Sequence, residues 1–363
     1  MPEPETMTDP FYDRDDLTAL EAQRHAQEIA FAPVVFQVAR LMKKTGILAA
    51  LMNAGEAGLS MDDICRAVSR PRYGVQVLLE SSLSSGIVFL KDDRYCISKT
   101  GVFLESDRMT GVNMEFIHHV CYRGLFHLEE ALDTEKPAGL KELGPWPTIY
   151  EGLSQLPPVV QKAWFDFDHL FSDRAFNEAL RHVFADRPRR LLDVGGNTGR
   201  FAAQCVQRDP DVRVTVMDLP AQLTLMKEAV KNAPGADRIS GFGADLLSDA
   251  TVFPAPFDAI WMSQFLDCFS EAQVTGILRR AVSSMTKDTT LWIMETFWDR
   301  QKFETAACCL NQGSVYFTAM ANGNSKFYHS KDMVRCAEDA GLIVVDMIDH
   351  LGLGHTLMKT RRA

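Results

Sequence analysis

The chain has no run of about eighteen apolar residues, no paired CxxC spacing among its eight cysteines and no excess of basic charge. The first absence removes a membrane-spanning helix. The second removes the spacing of a zinc knuckle; Cys308 and Cys309 are adjacent, too close for an ordinary disulfide, so reduced thiols in the cytoplasm are expected. The third is a formal net charge of −10, which gives little footing on nucleic acid or anionic lipid. The start, Met1 to Asp16, is acidic and contains proline; it lacks the basic opening and apolar run of a signal peptide and reads as a disordered tip. Internal repeats and low-complexity segments are also missing. What remains is a chain of 363 residues, 46% hydrophobic, enough for two domains with a helical connector.

The most informative stretch is Leu191-Leu192-Asp193-Val194-Gly195-Gly196-Asn197-Thr198-Gly199. An apolar strand runs into a glycine-rich turn, then into a helix from about Phe201. A second apolar strand, 212–217, ends at Asp218. Glycines let backbone approach a nucleotide-bearing cofactor, and a later carboxylate catches ribose hydroxyls. The spacing is not the dinucleotide fingerprint: Arg200 stands where that pattern wants a small residue. Asp193 suits S-adenosylmethionine, whose ammonium can sit near a carboxylate and which needs no phosphate cradle.

The rest of the chain supplies the surroundings. Residues 17–51 read as helical, with Phe31, Val34, Val35, Val38, Leu41, Ile47, Leu48 and Leu51 as a long apolar stripe broken by a turn at Gly46. Ser60 caps a short helix to Val68, Pro71 opens a second helix ended by Gly86, and 87–90 with 94–97 read as a hairpin. Helix, helix, hairpin is a winged helix. From Met109 to about Phe184 the chain is mainly helical and rich in aromatics: Phe116, Tyr122, Phe126, Trp146, Tyr150, Trp164, Phe165, Phe167 and Phe171. Helical spacing points most of them at packing; their density also suits an apolar substrate wall. From Arg189 strands are predicted at 190–194, 212–217, 239–242, 257–262, 290–296, 342–348 and 355–360. The first five alternate with helices and predict a parallel sheet, and the last two are joined too tightly for a crossover and predict an antiparallel hairpin.

Taken in order, the winged-helix segment 46–104, Leu191 to Gly199, Asp218-Leu219-Pro220, Gly243-Ala244-Asp245-Leu246-Leu247, Phe265 to Glu271, and Glu295 resemble the O-methyltransferase family that includes plant caffeate-type and bacterial polyketide and carotenoid enzymes. The resemblance covers about residues 35–360. It implies an α/β class I methyltransferase fold: a Rossmann-like parallel sheet with a C-terminal antiparallel hairpin, plus an N-terminal, mostly helical winged-helix dimerisation domain. The implied division is 1–108 for dimerisation, 109–185 for a connector contributing to the acceptor pocket, and 186–363 for cofactor binding. The implied cofactor is S-adenosylmethionine, held by Asp193, Gly195, Gly196, Gly199, Asp218, Leu219, Asp245, Leu246 and Ser263. The implied acceptor is a small hydroxylated aromatic, polyketide or quinol, and the implied partner is a second copy of the chain; no metal, nucleic acid or membrane is called for.

Three departures stand out. Asn197 replaces the family's middle glycine, and asparagine tolerates left-handed backbone. Ser263 stands where the family has a lysine near adenine. Most consequentially, Asp267 replaces the general-base histidine and Cys268 the aspartate after it. An unperturbed Asp, with a pKa of about 3.9, is poorly matched to a phenol near 10. Asp267 works as a base if burial raises its pKa or if the acceptor is acidic; otherwise it orients the hydroxyl or simply begins a helix. Glu295 matches a family glutamate beside the base, and Asn322 aligns loosely with an asparagine lining the acceptor site. Phe167, His169 and His329 are further pocket candidates; His118 and His119 are other candidate bases. Two alternatives stay open. One is a family member that binds S-adenosylmethionine without methyl transfer. The other is a DNA-binding regulator, disfavoured because helix 71–85 has only Arg72 as a basic residue, with Glu80 nearby.

Overall fold

The computed structural model describes residues 11–172 and 175–363, apart from the side chains at 171 and 172. Most of the expected N-terminal tip, and the Phe171 side chain, lie outside the described residues. The chain divides into two compact units, one ending at Ile117 and one from His118 to Ala363.

The first unit begins with α1 (Ala19–Lys44), opened by a capping box in which Thr18 and Glu21 serve each other's backbone N–H. It continues through α2 (Ile47–Ala54), α3 (Met61–Val68) and α4 (Arg72–Ser84) to the hairpin of β1 (Val88–Lys91) and β2 (Arg94–Ile97), then α5 (Lys99–Ser106) and α6 (Arg108–Phe116). Ser60 and Asp63 form a second capping box at α3. Met42, Ile47, Leu48, Leu51, Ile64, Val75, Leu79 and Ile87 make its core. The apolar stripe read along 31–51 is thus divided. Ile47, Leu48 and Leu51 are spent on this core, whereas Phe31, Val34 and Leu41 stay exposed on α1.

The second unit carries α7 (Leu128–Thr134), α8 (Ile149–Gly152), α9 (Pro158–Ser172) and α10 (Phe176–Val183) ahead of a seven-stranded sheet. Its strands are β3 (Arg190–Val194), β4 (Arg213–Asp218), β5 (Ile239–Gly243), β6 (Ala259–Ser263), β7 (Thr290–Glu295), β8 (Leu342–Leu351) and β9 (His355–Arg362), in the spatial order β5-β4-β3-β6-β7-β9-β8. The first five are parallel; β9 runs antiparallel to both β7 and β8. This is the class I methyltransferase sheet that the resemblance implied. The central strands are near-continuous apolar runs because helices cover both faces. Those helices include α11 (Arg200–Arg208), α12 (Pro220–Val230), α13 (Glu271–Ser284), α14 (Glu304–Tyr316) and α15 (Ser330–Asp339). Trp261 on β6 stacks on Phe201 of α11, ring centroids 4.0 Å apart. The C-terminal hairpin is longer than the sequence suggested: Leu351 pairs with His355, shrinking the turn to 352–354, and bulges near Val344 and Ile348 absorb the register. Among the described residues no helix is long and apolar enough to cross a membrane.

Candidate active site

In open α/β sheets, ligands bind outside the carboxyl ends of the strands. At that edge the chain leaves several buried polar atoms without a hydrogen-bond partner: Asp193 Oδ2 on β3, Ser263 Oγ and Gln264 Oε1 at the end of β6, and Glu295 Oε2 and Thr296 Oγ1 at the end of β7. Buried polar groups are ordinarily paired, so such a row marks a place where a ligand completes the bonding.

The turn after β3 shows how backbone shapes this edge. Gly195 and Gly199 have φ of +70° and +75°, and Asn197 shares the left-handed region at +51°. A Cβ on Gly195 would lie 2.2 Å from the Phe265 ring, and one on Gly196 would lie 2.7 Å from Asp193 Oδ2. The turn is tied to β4: Gly195 N–H donates to the Met217 carbonyl at 2.8 Å, and Asn197 N–H donates to Asp218 Oδ2 at 3.0 Å. Asp218 Oδ1 accepts from Leu219 N–H at 2.7 Å. Each Asp218 oxygen has taken one backbone donor and keeps a lone pair for another.

Asp193 is buried, and its carboxyl is pushed up to about 8, first by desolvation and then by the nearby Asp218 charge; Ala202 N–H opposes this. Burial raises Asp218 as well. Two acidic groups in each other's field, one with an orphaned oxygen, form a setting that a cation and hydroxyl donors would relieve. The residues therefore fit a ligand that brings a cation and hydroxyl donors, as S-adenosylmethionine does. Asp245 is exposed, its Oδ1 receiving Leu247 N–H at 2.9 Å. Leu246, expected beside the adenine, has its side chain packed in the sheet core, and its carbonyl accepts from Arg280. Leu219, Phe242 and Leu247 are the exposed apolar groups on this side. Phe242 carried no sequence signal beyond its place one residue from the end of β5.

A second cluster gathers around Asp267. It follows β6 in the short turn Leu266–Cys268 and is buried, and Cys268 Sγ lies 3.5 Å from its Oδ1. Its carboxyl is pushed up to about 7, chiefly by desolvation, with Asp168 of α9 adding repulsion. Glu295, at the end of β7, is pushed well above its ordinary value by burial and by Asp267. The two carboxyls cannot both ionise at small cost, so the pair holds a proton. Glu295 Oε1 accepts from Phe265 N–H at 3.0 Å and Leu266 N–H at 2.8 Å, so this glutamate anchors the turn that carries Asp267. Tyr150 of α8 lies beside Cys268, and Trp164 Nε1 donates to Tyr316 Oη at 2.7 Å. Asp168 and Tyr316 were missed in sequence. Asp168 shares a helical face with Trp164 at i,i+4, the one signal that would have found it.

The remaining candidates fall elsewhere. His169 stacks on Phe165, with Nδ1 3.7 Å from Asp168, which places it beside the cluster. Phe167 is half-buried on α9. His118 and His119 pack edge to face at 4.7 Å. His329 is occupied as the N-cap of α15: its Nδ1 accepts from Lys331 N–H at 3.0 Å and its ring packs on Trp298. The same nitrogen lies 3.4 Å from Asp299 Oδ2, so it is the side of the ring used by the cap. Asn322 likewise does not offer its amide to a pocket: Nδ2 donates to the Cys268 carbonyl, and Oδ1 accepts from Asn324 N–H and Ser325 Oγ.

The O-methyltransferase domain family matches residues 156–342, about half of the chain, and the Dimerisation2-like domain matches residues 23–95. The chain belongs to the O-methyltransferase family. Its family relatives include 3-hydroxy-5-methyl-1-naphthoate 3-O-methyltransferase of Streptomyces sahachiroi, 31% identical over 36% of this chain and 38% of that one. Demethylspheroidene O-methyltransferase of Cereibacter sphaeroides is 28% identical over 45% of this chain and 42% of that one. The chain thus matches less than half the length of these curated relatives. A solved structure, the apo S-adenosylmethionine-dependent methyltransferase SibL, shares the fold with a TM-score of 0.69 at 22% identity, covering 92% of this chain and 98% of that one.

Proposed function

We propose that this member of the O-methyltransferase family binds S-adenosylmethionine and transfers its methyl group to a hydroxyl of a small aromatic, polyketide or quinol-like acceptor. The observation that carries the reading is the buried Asp193, with one carboxylate oxygen unpartnered, next to the half-buried Asp218 beside the glycine turn. The relatives named for naphthoate and spheroidene precursors support the acceptor class. Bound S-adenosylmethionine supplies a methyl group already activated by its sulfonium.

The chain's own residues do the rest. Asp193 and Asp218 bind and orient the cofactor. Tyr150, Trp164 and Tyr316 give the acceptor side an aromatic, largely dry wall. Holding the two reactants together accounts for much of the rate in such a design. Asp267, raised to about 7, matches the acidity of a general base acting near neutral pH, whereas an ordinary Asp does not. It takes the proton of the acceptor hydroxyl, and Glu295 keeps the turn under it in place. Burial thereby offsets the exchange of the family's histidine for aspartate.

Pairing of two copies through residues 17–110 is supported by the exposed apolar residues of α1 and by the match to a dimerisation domain. Eight free cysteines support a reducing, cytoplasmic setting. Arg72, the basic residue of the recognition-like helix, is engaged by Asp62, which further weakens a DNA-binding reading. The division into 1–108, 109–185 and 186–363 is kept as the functional assignment of dimerisation, acceptor wall and cofactor binding. Calorimetry with S-adenosylhomocysteine, followed by conversion of S-adenosylmethionine with a panel of phenols, tests the reading. Absence of binding overturns it; binding without turnover leaves the family member that has lost transfer.

A further inference from the structure

We propose that Asn322 and Tyr328 are positioning residues of the transfer site, each holding one backbone carbonyl of the turn that carries Asp267 and together setting where its carboxylate stands. The inference rests on the reading of Asp267 as the group that meets the acceptor hydroxyl.

The turn between β6 and α13 is pinned on both sides of Asp267 by three side chains from two distant segments, the end of β7 and the loop before α15. Before it, the N–H groups of Phe265 and Leu266 donate to Glu295 Oε1. After it, the Cys268 carbonyl accepts from Asn322 Nδ2 and the Phe269 carbonyl accepts from Tyr328 Oη. Four backbone groups within five residues are thus bonded to side chains outside the turn. The Asp267 carboxyl receives the Cys268 thiol and its own backbone N–H, both from within the turn, and no clamp from a distant segment among the described residues.

Both clamps are held in turn. Asn322 Oδ1 receives Asn324 N–H at 3.2 Å and Ser325 Oγ at 3.0 Å. Two donors on the oxygen fix which end of the amide is which, and they leave Nδ2 aimed at the Cys268 carbonyl. Tyr328 is 3% exposed, its ring packed into the sheet core and Lys326 Nζ 5.5 Å from the ring centre. A side chain this enclosed holds one rotamer, and its hydroxyl cannot drift from Phe269 without moving the core. Placement matters here because transfer geometry tolerates only a fraction of an ångström. The groups facing Asp267 are Asp168 from α9, Glu295 from β7, Tyr150 from α8, Cys268 beside it and Tyr328 itself. A loosened turn would admit water among these acids and let Asp267 ionise earlier.

The first arm of the test needs no acceptor; the turnover arm uses an accepted phenol. In the full chain, hydrogen exchange is followed on a peptide spanning residues 264–271, and the Asp267 midpoint is followed by carbon-13 NMR. Tyr328→Phe and Asn322→Ala should each speed exchange in that peptide by roughly tenfold and lower the midpoint by about one unit. Affinity for S-adenosylhomocysteine should stay within about twofold. Asn322→Asp should not rescue, because a carboxylate has no donor for the Cys268 carbonyl. Tyr328→Phe removes a single hydroxyl and decides the matter if Asn322→Ala fails to fold. Unchanged exchange and midpoint in Tyr328→Phe overturn the clamp. A loosened turn combined with full turnover by Asp267→Asn overturns the base reading instead, so the two failures are told apart.

Discussion

Asp218 and Asp267 both stand at the carboxyl ends of sheet strands, yet the chain holds them in different ways. Asp218 ends β4 and is fixed by backbone N–H groups of Asn197, in the neighbouring turn, and of its own successor Leu219. Asp267 hangs on a turn whose backbone is held by Glu295, Asn322 and Tyr328, from segments roughly thirty to sixty positions away. On the proposed reading, the cofactor side is built from strand pairing and glycine conformations and the acceptor side from side-chain clamps. The difference suits the two tasks. Binding one invariant cofactor needs donors and acceptors at fixed places, which hydrogen-bonded strands supply. Accommodating an acceptor needs a base and wall placed by side chains around it.

The sharpest break in this comparison is Asp267→Asn. Turnover of an accepted phenol should fall by roughly two to four powers of ten, the usual range for loss of a general base, with cofactor affinity nearly unchanged. Rate against pH, with phenols of graded acidity, checks it. Wild-type rates and an unchanged profile would shift attention to His169.

Asp218→Ala should do the converse. If this half-buried carboxylate holds the ribose hydroxyls as proposed, S-adenosylhomocysteine should bind roughly a hundredfold more weakly in calorimetry. Equal affinity in mutant and wild type would detach the cofactor from β4.

Gly195→Ala tests the backbone account directly. A Cβ there meets the Phe265 ring at 2.2 Å and the φ is +70°, so urea unfolding should show a loss of about 2 kcal/mol. Asn197→Gly, at φ +51°, should instead be neutral to within about 1 kcal/mol, since glycine fits the same conformation. If both behave alike, the turn is not governed by backbone geometry.

The smallest effect is in the pH dependence of stability. Asp193 in the fold holds its proton up to about 8, whereas in the unfolded chain it ionises near about 4. Between these values the folded state binds more protons, so the unfolding free energy falls as pH rises. Asp193→Asn should remove part of that fall, on the order of 1–2 kcal/mol between pH 5 and pH 8, measured by urea unfolding without cofactor. Asp267 and Glu295 slope the same way, so a remainder should persist.

The sequence by itself determined what local pattern controls. Apolar runs bounded by turns placed seven strands within a few residues of their observed ends, and the tight last connection dictated an antiparallel pair. The glycine turn and the aspartate closing β4 were legible because their roles depend on backbone conformation and on strand position, both written in neighbouring residues. Asp267 was legible by its place after β6, but its acidity was not. Only burial in the tertiary structure, with Asp168 of α9 adding repulsion, lifts the carboxyl toward 7 against the opposing Cys268 hydrogen bond. Tertiary structure likewise decided that His329 caps a helix, that Leu246 joins the core and that Asn322 clamps a turn. A side chain's partners come from distant segments, and one-dimensional spacing carries no record of which segments fold together.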